Sequence, residues 1–175
     1  MQTKEPQHEN VIINKKNLVL DQNEGLVMYK DKPFSGQSFS LYASGDTSEK
    51  VQFSEGKKHG MLIKFYPNNS QSYSAIYNHG KLHGESKTWW KSGQIRSHTK
   101  YKEGKVDGLQ KQWYQSGQLF KEMNYAEGKE KGLQKAWREN GRIYNNYEAK
   151  NGRIYGLKRA TLCFELEDET VQFND

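Results

Sequence analysis

The sequence predicts an all-β repeat array, in which antiparallel β-hairpins of about 24 residues form one long twisted meander sheet with capping strands. Three observations carry this expectation. Glycines recur at a constant step, aromatic residues recur in phase with them, and between the glycines apolar residues alternate with a period of two.

Gly36, Gly60, Gly84, Gly108, Gly132 and Gly156 stand 24 residues apart. Gly56, Gly80, Gly104, Gly128 and Gly152 keep the same step, as do Gly45, Asn69, Gly93, Gly117 and Gly141. Asn69 is the single non-glycine in these series, and asparagine tolerates a left-handed backbone better than most residues. The third series therefore marks turns that need a positive φ. The same is expected of Gly104, whose neighbour Glu103 is expected to be exposed and free of that constraint.

Each unit is numbered here from its opening glycine. Position 6 holds Leu41, Phe65, Trp89, Trp113 and Trp137, and position 7 holds Tyr42, Tyr66, Trp90, Tyr114 and Arg138. Position 18 holds Phe53, Tyr77, Tyr101, Tyr125 and Ala149, and position 22 holds Lys57, Lys81, Lys105, Lys129 and Arg153. Five full repeats thus occupy residues 36–155. Residues 1–10 read as a flexible tail, 11–35 as an N-terminal cap and half repeat, and 156–175 as a C-terminal half repeat with an acidic cap.

Within a unit, glycine turns separate two strands. Even positions give Met61, Ile63 and Phe65 in one first strand, and Leu119, Met123 and Tyr125 in one second strand. One face is therefore expected to gather the even positions of both strands, as a half-buried antiparallel sheet requires. Helix is excluded by the glycines, each costing about 1 kcal/mol in a helix interior. The stretch Leu162–Glu167 partly alternates and reads as a capping strand; Val11–Leu20 reads as the opposite cap.

Composition agrees. Only 33% of the 175 residues are hydrophobic, yet 13% are aromatic, which disordered chains are not. The mean hydropathy is −1.08. The longest apolar run, Leu26–Tyr29, excludes buried parallel strands and is far short of the roughly 18 residues of a membrane span.

The stretches Gly84–Gly93, Tyr101–Gly108 and Tyr77–Gly84, the last two following Tyr-x-x-Gly-Lys-x-x-Gly, closely resemble the MORN repeat variant. Bacterial proteins built from it are commonly named toxin–antitoxin system antitoxins of the YwqK type. The resemblance covers about Tyr29 to Gly156. It implies a β-hairpin repeat sheet and a binding or scaffolding role, and it implies no catalytic site. Ordinary MORN repeats are associated with membrane-adjacent scaffolding and phospholipid binding.

The net charge of +6 is uneven: residues 1–35 are neutral, residues 160–175 carry −5, and the stretch between them carries +11. The basic row at position 22 is one source, and Lys87, Lys111, Lys135 and Arg159 at position 4 are another. Such lysines either keep an aromatic sheet soluble or engage an anionic partner: an acidic protein, phospholipid headgroups or an anionic polymer. Scarce arginine argues against nucleic acid. The aromatic row with Trp89, Trp90, Trp113, Tyr114 and Trp137 either packs between neighbours or binds a partner loop or sugar rings.

No cofactor, metal or catalytic site is expected. His59, His79 and His83 fall at repeat positions, and His59 and His83, one unit apart, recur with no carboxylate or thiol. Cys163 stands alone, which excludes an internal disulfide, and it reads as a small buried side chain. The leading reading is a non-enzymatic repeat scaffold for a macromolecular partner, such as a toxin-like protein or an anionic envelope surface. A carbohydrate or cell-wall-binding module and a cryptic hydrolase accessory are the alternatives. Met1–Asn10 has no apolar core segment, and Gln2–Gln7 suits a tether behind a membrane anchor. That favours an exported or envelope-anchored bacterial protein over a cytoplasmic one.

Overall fold

The computed structural model describes residues 11–157. The chain forms β1 (Ile12–Asn14), a short 3-10 turn (Lys15–Asn17), β2 (Val19–Asp21), β3 (Leu26–Tyr29) and β4 (Lys32–Pro33). The repeats follow as β5 (Gly36–Leu41), β6 (Thr47–Ser54), β7 (Lys57–Phe65), β8 (Gln71–Asn78), β9 (Lys81–Trp89) and β10 (Ile95–Lys102). They continue as β11 (Lys105–Val106), β12 (Gly108–Trp113), β13 (Leu119–Ala126), β14 (Lys129–Trp137), β15 (Ile143–Lys150) and β16 (Arg153–Leu157). The expected C-terminal cap strand, with Cys163, lies outside the described residues.

From β5 to β16 the strands pair in chain order in a 13-stranded sheet, with β11 beside β10. Successive neighbours are antiparallel, so this is the expected meander of hairpins. At about 4.8 Å per strand it runs on the order of 50 Å. β1 lies parallel to β5, Ile12 opposite Gln37 and Asn14 opposite Phe39, and so covers the first edge. β2, β3 and β4 form a separate three-stranded sheet. None of the described helices is long and apolar enough to cross a membrane.

Two turn types alternate. The loops Lys91-Ser92-Gly93 and Pro67-Asn68-Asn69 are three-residue hairpin loops, in which Gly93 and Asn69 N–H donate to the Trp90 and Tyr66 carbonyls. Their last residues are left-handed, at φ +89° for Gly93 and +61° for Asn69, as predicted. The other connections are two-residue turns with both residues left-handed: Glu55-Gly56 (φ +50° and +75°), Glu103-Gly104 (+49° and +82°) and Glu127-Gly128 (+51° and +82°). This is the type I′ turn, whose twist matches that of the flanking strands. The sequence expectation for Glu103 is therefore corrected: it is exposed, but it shares the positive φ of its neighbour. A type I′ turn needs both central residues left-handed, so a glycine at one of them does not release the other.

Alternating connections place all type I′ turns along one long rim of the sheet and all three-residue loops along the other. At the type I′ rim, successive units are tied by backbone. Gly80 N–H donates to the Lys58 carbonyl at 2.7 Å, Gly104 to Leu82 at 2.8 Å, and Gly128 to Val106 at 2.8 Å.

The opening glycines do different work. Opposite Gly60 the register jumps, with Val51 facing Leu62 but Phe53 facing Lys58, so β7 bulges there. The same jump recurs between β8 and β9 and between β13 and β14. Side-chain amides satisfy the backbone that the bulges leave unpaired. Gln52 Oε1 accepts from Met61 N–H at 2.6 Å. The fully buried Gln134 amide accepts from Asn124 N–H at 2.9 Å and donates to the Asn124 carbonyl at 2.8 Å.

The buried face is not the one expected. It combines odd positions of the first strand (Ser38, Leu62, Ser86, Gln134) with even positions of the second (Val51, Ala75, Thr99, Tyr147). Met61, expected inside, is 46% exposed. The reason is register: Leu62 faces Ala75 and Gln134 faces Tyr147, and directly opposed residues share a face. Parity therefore switches across each hairpin, which counting along one strand cannot reveal.

The apolar core sits at the N-terminal end. Phe34, Val51, Phe53 and Leu62 are buried, with Val11, Ile13, Leu18, Val27 and Tyr77 packed against them. Lys15 binds Glu49 at 2.7 Å and ties the 3-10 turn to the first repeat. Burial opposes the charge on Glu49, but Lys15, Lys64 and Lys58 together hold its carboxyl below the ordinary carboxylate value. Further along, the buried face is richer in hydroxyls, amides and tyrosine rings. Burial pushes the Tyr147 hydroxyl up to about 12, helped by its 3.0 Å bond to Glu130. Burial, with Tyr73 and Glu49 nearby, pushes Tyr77 up to about 12 as well.

Two predictions follow from this architecture. Gly104→Val should cost roughly 1–3 kcal/mol, and Glu103→Val should also destabilise, because both residues are left-handed. Lys102→Val, at an exposed position at the end of β10, should stay within about 0.5 kcal/mol. Thermal midpoints of the three variants test the turn, and equal midpoints for Glu103→Val and Lys102→Val would contradict it. The second prediction is alkaline lability. Unfolded tyrosine ionises near 10, whereas Tyr77 and Tyr147 hold their protons to about 12 when folded. Their stabilisation is complete below pH ~10 and is lost as pH rises through the folded values. Midpoints measured from neutral pH upward should be flat to about pH 10 and then fall, and less steeply in Tyr147→Phe.

Candidate functional site

The basic row falls where the sequence placed it. Lys57, Lys81, Lys105, Lys129 and Arg153 each open the strand after a type I′ turn, and all five are exposed. Two strands per unit space them by about 10 Å. At two of the four steps the turn packs directly on the preceding lysine: a Cβ on Gly104 would lie 3.9 Å from Lys81 Cβ, and one on Gly128 would lie 3.6 Å from Lys105 Cβ. The row is not purely cationic. Glu55, Glu103 and Glu127 stand two residues before Lys57, Lys105 and Lys129, and Glu103 lies 3.8 Å from Lys81. Both partners are more than half exposed, and such a pair contributes little to stability. Its consequence is that the rim carries both signs, although His79 and Asn151 stand at the second and fifth turns where the others hold glutamate.

The position-4 lysines are on the outer face and engage carboxylates. Lys87 lies 2.8 Å from Glu85, and Lys111 lies 3.0 Å from Glu122 on the facing strand. His98 also reaches Glu85, at 3.4 Å. The histidines contact different partners. His59 stacks edge-on against His79, ring centroids 4.8 Å apart, while His83 lies 3.2 Å from Glu103. Among the described residues no three His, Cys, Asp or Glu side chains cluster as metal ligands.

The aromatics gather at the opposite rim, roughly 25 Å away along a nine-residue strand such as β9. Trp89, Trp113 and Trp137 are half-buried at one register, opposite Ile95, Leu119 and Ile143. Position 7 has a role that periodicity did not reveal. Its tyrosine hydroxyl donates to the position-6 carbonyl of the next unit: Tyr42 to Phe65 at 2.6 Å, Tyr66 to Trp89 at 2.8 Å, and Tyr114 to Trp137 at 2.9 Å. This ladder ties the loop rim as the glycine N–H groups tie the other.

At residue 90 the ladder has tryptophan instead, which has no hydroxyl to give. Its Nε1–H is buried with no hydrogen-bond partner. The Arg96 guanidinium lies over the indole, 4.6 Å from the ring centre. Here, between the third and fourth repeats, a groove of about 590 Å³ opens, walled by Trp90 and Arg96 on one unit and Trp113, Tyr114 and Phe120 on the next. Tyr114 and Phe120 pack with tilted rings, centroids 4.8 Å apart. Thr88, Ser97 and Gln112 complete it with polar groups. The matching groove between the first and second repeats, at Tyr42 and Tyr66, is about 400 Å³. The structure thus brings Trp90, Trp113 and Tyr114 together and separates them from the basic row. Arg96 and Phe120 were missed; both stand at position 13, which varies from serine to arginine, phenylalanine and tyrosine and shows no repeat signal.

Tyr66→Phe tests the ladder. It removes only the hydroxyl, so it should cost about 0.5–1.5 kcal/mol, read as a lower denaturant midpoint. Tyr155→Phe, at an exposed tyrosine, serves as the comparison and should leave the midpoint unchanged; an unchanged midpoint for Tyr66→Phe would mean that the ladder carries no stability.

Comparison with known proteins adds one finding. No curated protein matches the chain. Two stretches, residues 82–103 and 106–127, match the MORN repeat variant family, and they begin one structural unit apart in the middle of the array.

Proposed function

We propose that this protein is a non-enzymatic scaffold whose type I′ rim binds an extended protein partner. The observation that carries this reading is the exposed cation that opens the strand after each type I′ turn, recurring at about 10 Å along a regular edge, with a glutamate two residues before it at three of the five turns. The match to a repeat family associated with binding supports the same class of function. A partner that engages several units must itself be elongated, and its charges must keep a similar spacing.

Two physical facts favour protein over a membrane surface. The row spacing is comparable to the Debye length of about 8 Å at physiological salt, so the cations do not sum into one strong field. The interleaved glutamates repel a uniformly anionic surface and can pair with cations on a patterned partner. A toxin-like protein, as the antitoxin reading supposes, is one such partner.

The test replaces Lys81, Lys105 and Lys129 with glutamine. Lysine-directed crosslinking in the native cell should join the parent to a discrete protein through these residues, and the triple variant should lose that product. Phosphatidylglycerol vesicles should bind both forms weakly. Folding should change by less than about 0.5 kcal/mol per site, since the replaced charges are exposed. Strong vesicle binding by the parent, lost in the variant, would instead make the rim a lipid-binding surface.

A further inference from the structure

We propose that the groove between the third and fourth repeats is a saccharide site, seating a pyranose ring against the Trp90 indole. This does not rest on the function proposed for the charged rim, which lies at the other edge of the sheet.

The first ground is the interrupted ladder. At three junctions a tyrosine hydroxyl donates to the next unit's position-6 carbonyl. At this junction the residue is Trp90, so the Trp113 carbonyl has no such hydroxyl before it. The Trp90 Nε1–H is at the same time a buried donor without a partner. A sugar suits both, because each of its hydroxyls can accept, as from the indole, or donate, as to the carbonyl. A carboxylate can only accept, and an apolar ring can do neither.

The second ground is the polar complement around the aromatic walls. Thr88 Oγ1 and Ser97 Oγ lie 2.6 Å apart, and either can be the donor, so the pair can present a donor or an acceptor outward. Gln112 adds an amide with both capacities. Several two-way groups around an indole face suit a ring with several hydroxyls. A phenol, with one hydroxyl, would leave most of them unused.

Arg96 is the movable part. It is exposed, and its guanidinium covers the indole at 4.6 Å. Swinging aside on its flexible stem, it uncovers the ring and the Nε1–H for the sugar and keeps its own donors beside the site. The groove of about 590 Å³ has room for one or two sugar rings. Its counterpart at Tyr42 and Tyr66, where the hydroxyl is supplied by the protein, is smaller.

The test uses the full chain with chitotriose, cellotetraose and trigalacturonate as probes, followed by tryptophan fluorescence and by the indole N–H signal of Trp90. At least one saccharide should shift that signal at millimolar concentration. Trp90→Tyr restores the residue usual at this position, so it should fold with an unchanged or higher thermal midpoint while weakening binding at least tenfold. Trp89→Tyr, at position 6, should leave the affinity unchanged, as should the Lys81, Lys105, Lys129 triple variant. The proposal fails if none of the three saccharides moves the Trp90 signal, or if Trp90→Tyr binds as well as the parent.

Discussion

The two-residue turn with both residues left-handed is the constraint on which the rest of the array depends. It closes each hairpin in the sense of the sheet's own twist. Its glycine N–H then reaches back to the preceding unit, as Gly104 does to Leu82 at 2.8 Å. One small motif therefore sets local twist and ties neighbouring repeats. It also fixes register: a slip of one residue would turn every buried side chain outward.

With register fixed, the sheet does not need a large aliphatic core. Apolar packing is concentrated where the N-terminal strands close over the first repeats, around Phe34, Val51, Phe53 and Leu62. Beyond them the buried face depends more on satisfied polar groups. Gln134 stands in for a peptide group at a bulge. Tyr147 is buried with its hydroxyl on Glu130. Each unit leans mainly on its neighbours, so stability is close to a sum of nearest-neighbour terms, with the cap as the apolar anchor.

The two rims differ in chemistry because they differ in turn type. Each type I′ turn is followed by a lysine or arginine and three of the five also hold a glutamate before the glycine, so repetition makes a line of mixed charge. The three-residue loops carry serine or asparagine at their centre with no recurring charge, and the aromatic groups just inside them form grooves between units. Repetition gives the charged rim its length, whereas a break in repetition, tryptophan for tyrosine at residue 90, gives one groove its distinct character. An extended partner suits the first and a compact ligand the second.

The sequence by itself determined the architecture. Glycines at a fixed step can be explained only by recurring turns, and period-two alternation between them leaves strands as the only consistent element. It also placed Lys57, Lys81, Lys105, Lys129 and Arg153 in a line, because a repeat converts sequence position into spatial position. The buried face was decided only by pairing across the hairpins: Leu62 lies inside and Met61 outside because Leu62 faces Ala75. Glu103 was misjudged because a type I′ turn constrains two residues and only one of them is glycine. The groove at Trp90 was equally invisible, since its walls come from two units and from position 13, where no residue type recurs. Periodicity reports what is common to the units; contacts between unlike residues of neighbouring units exist only once the strands are side by side.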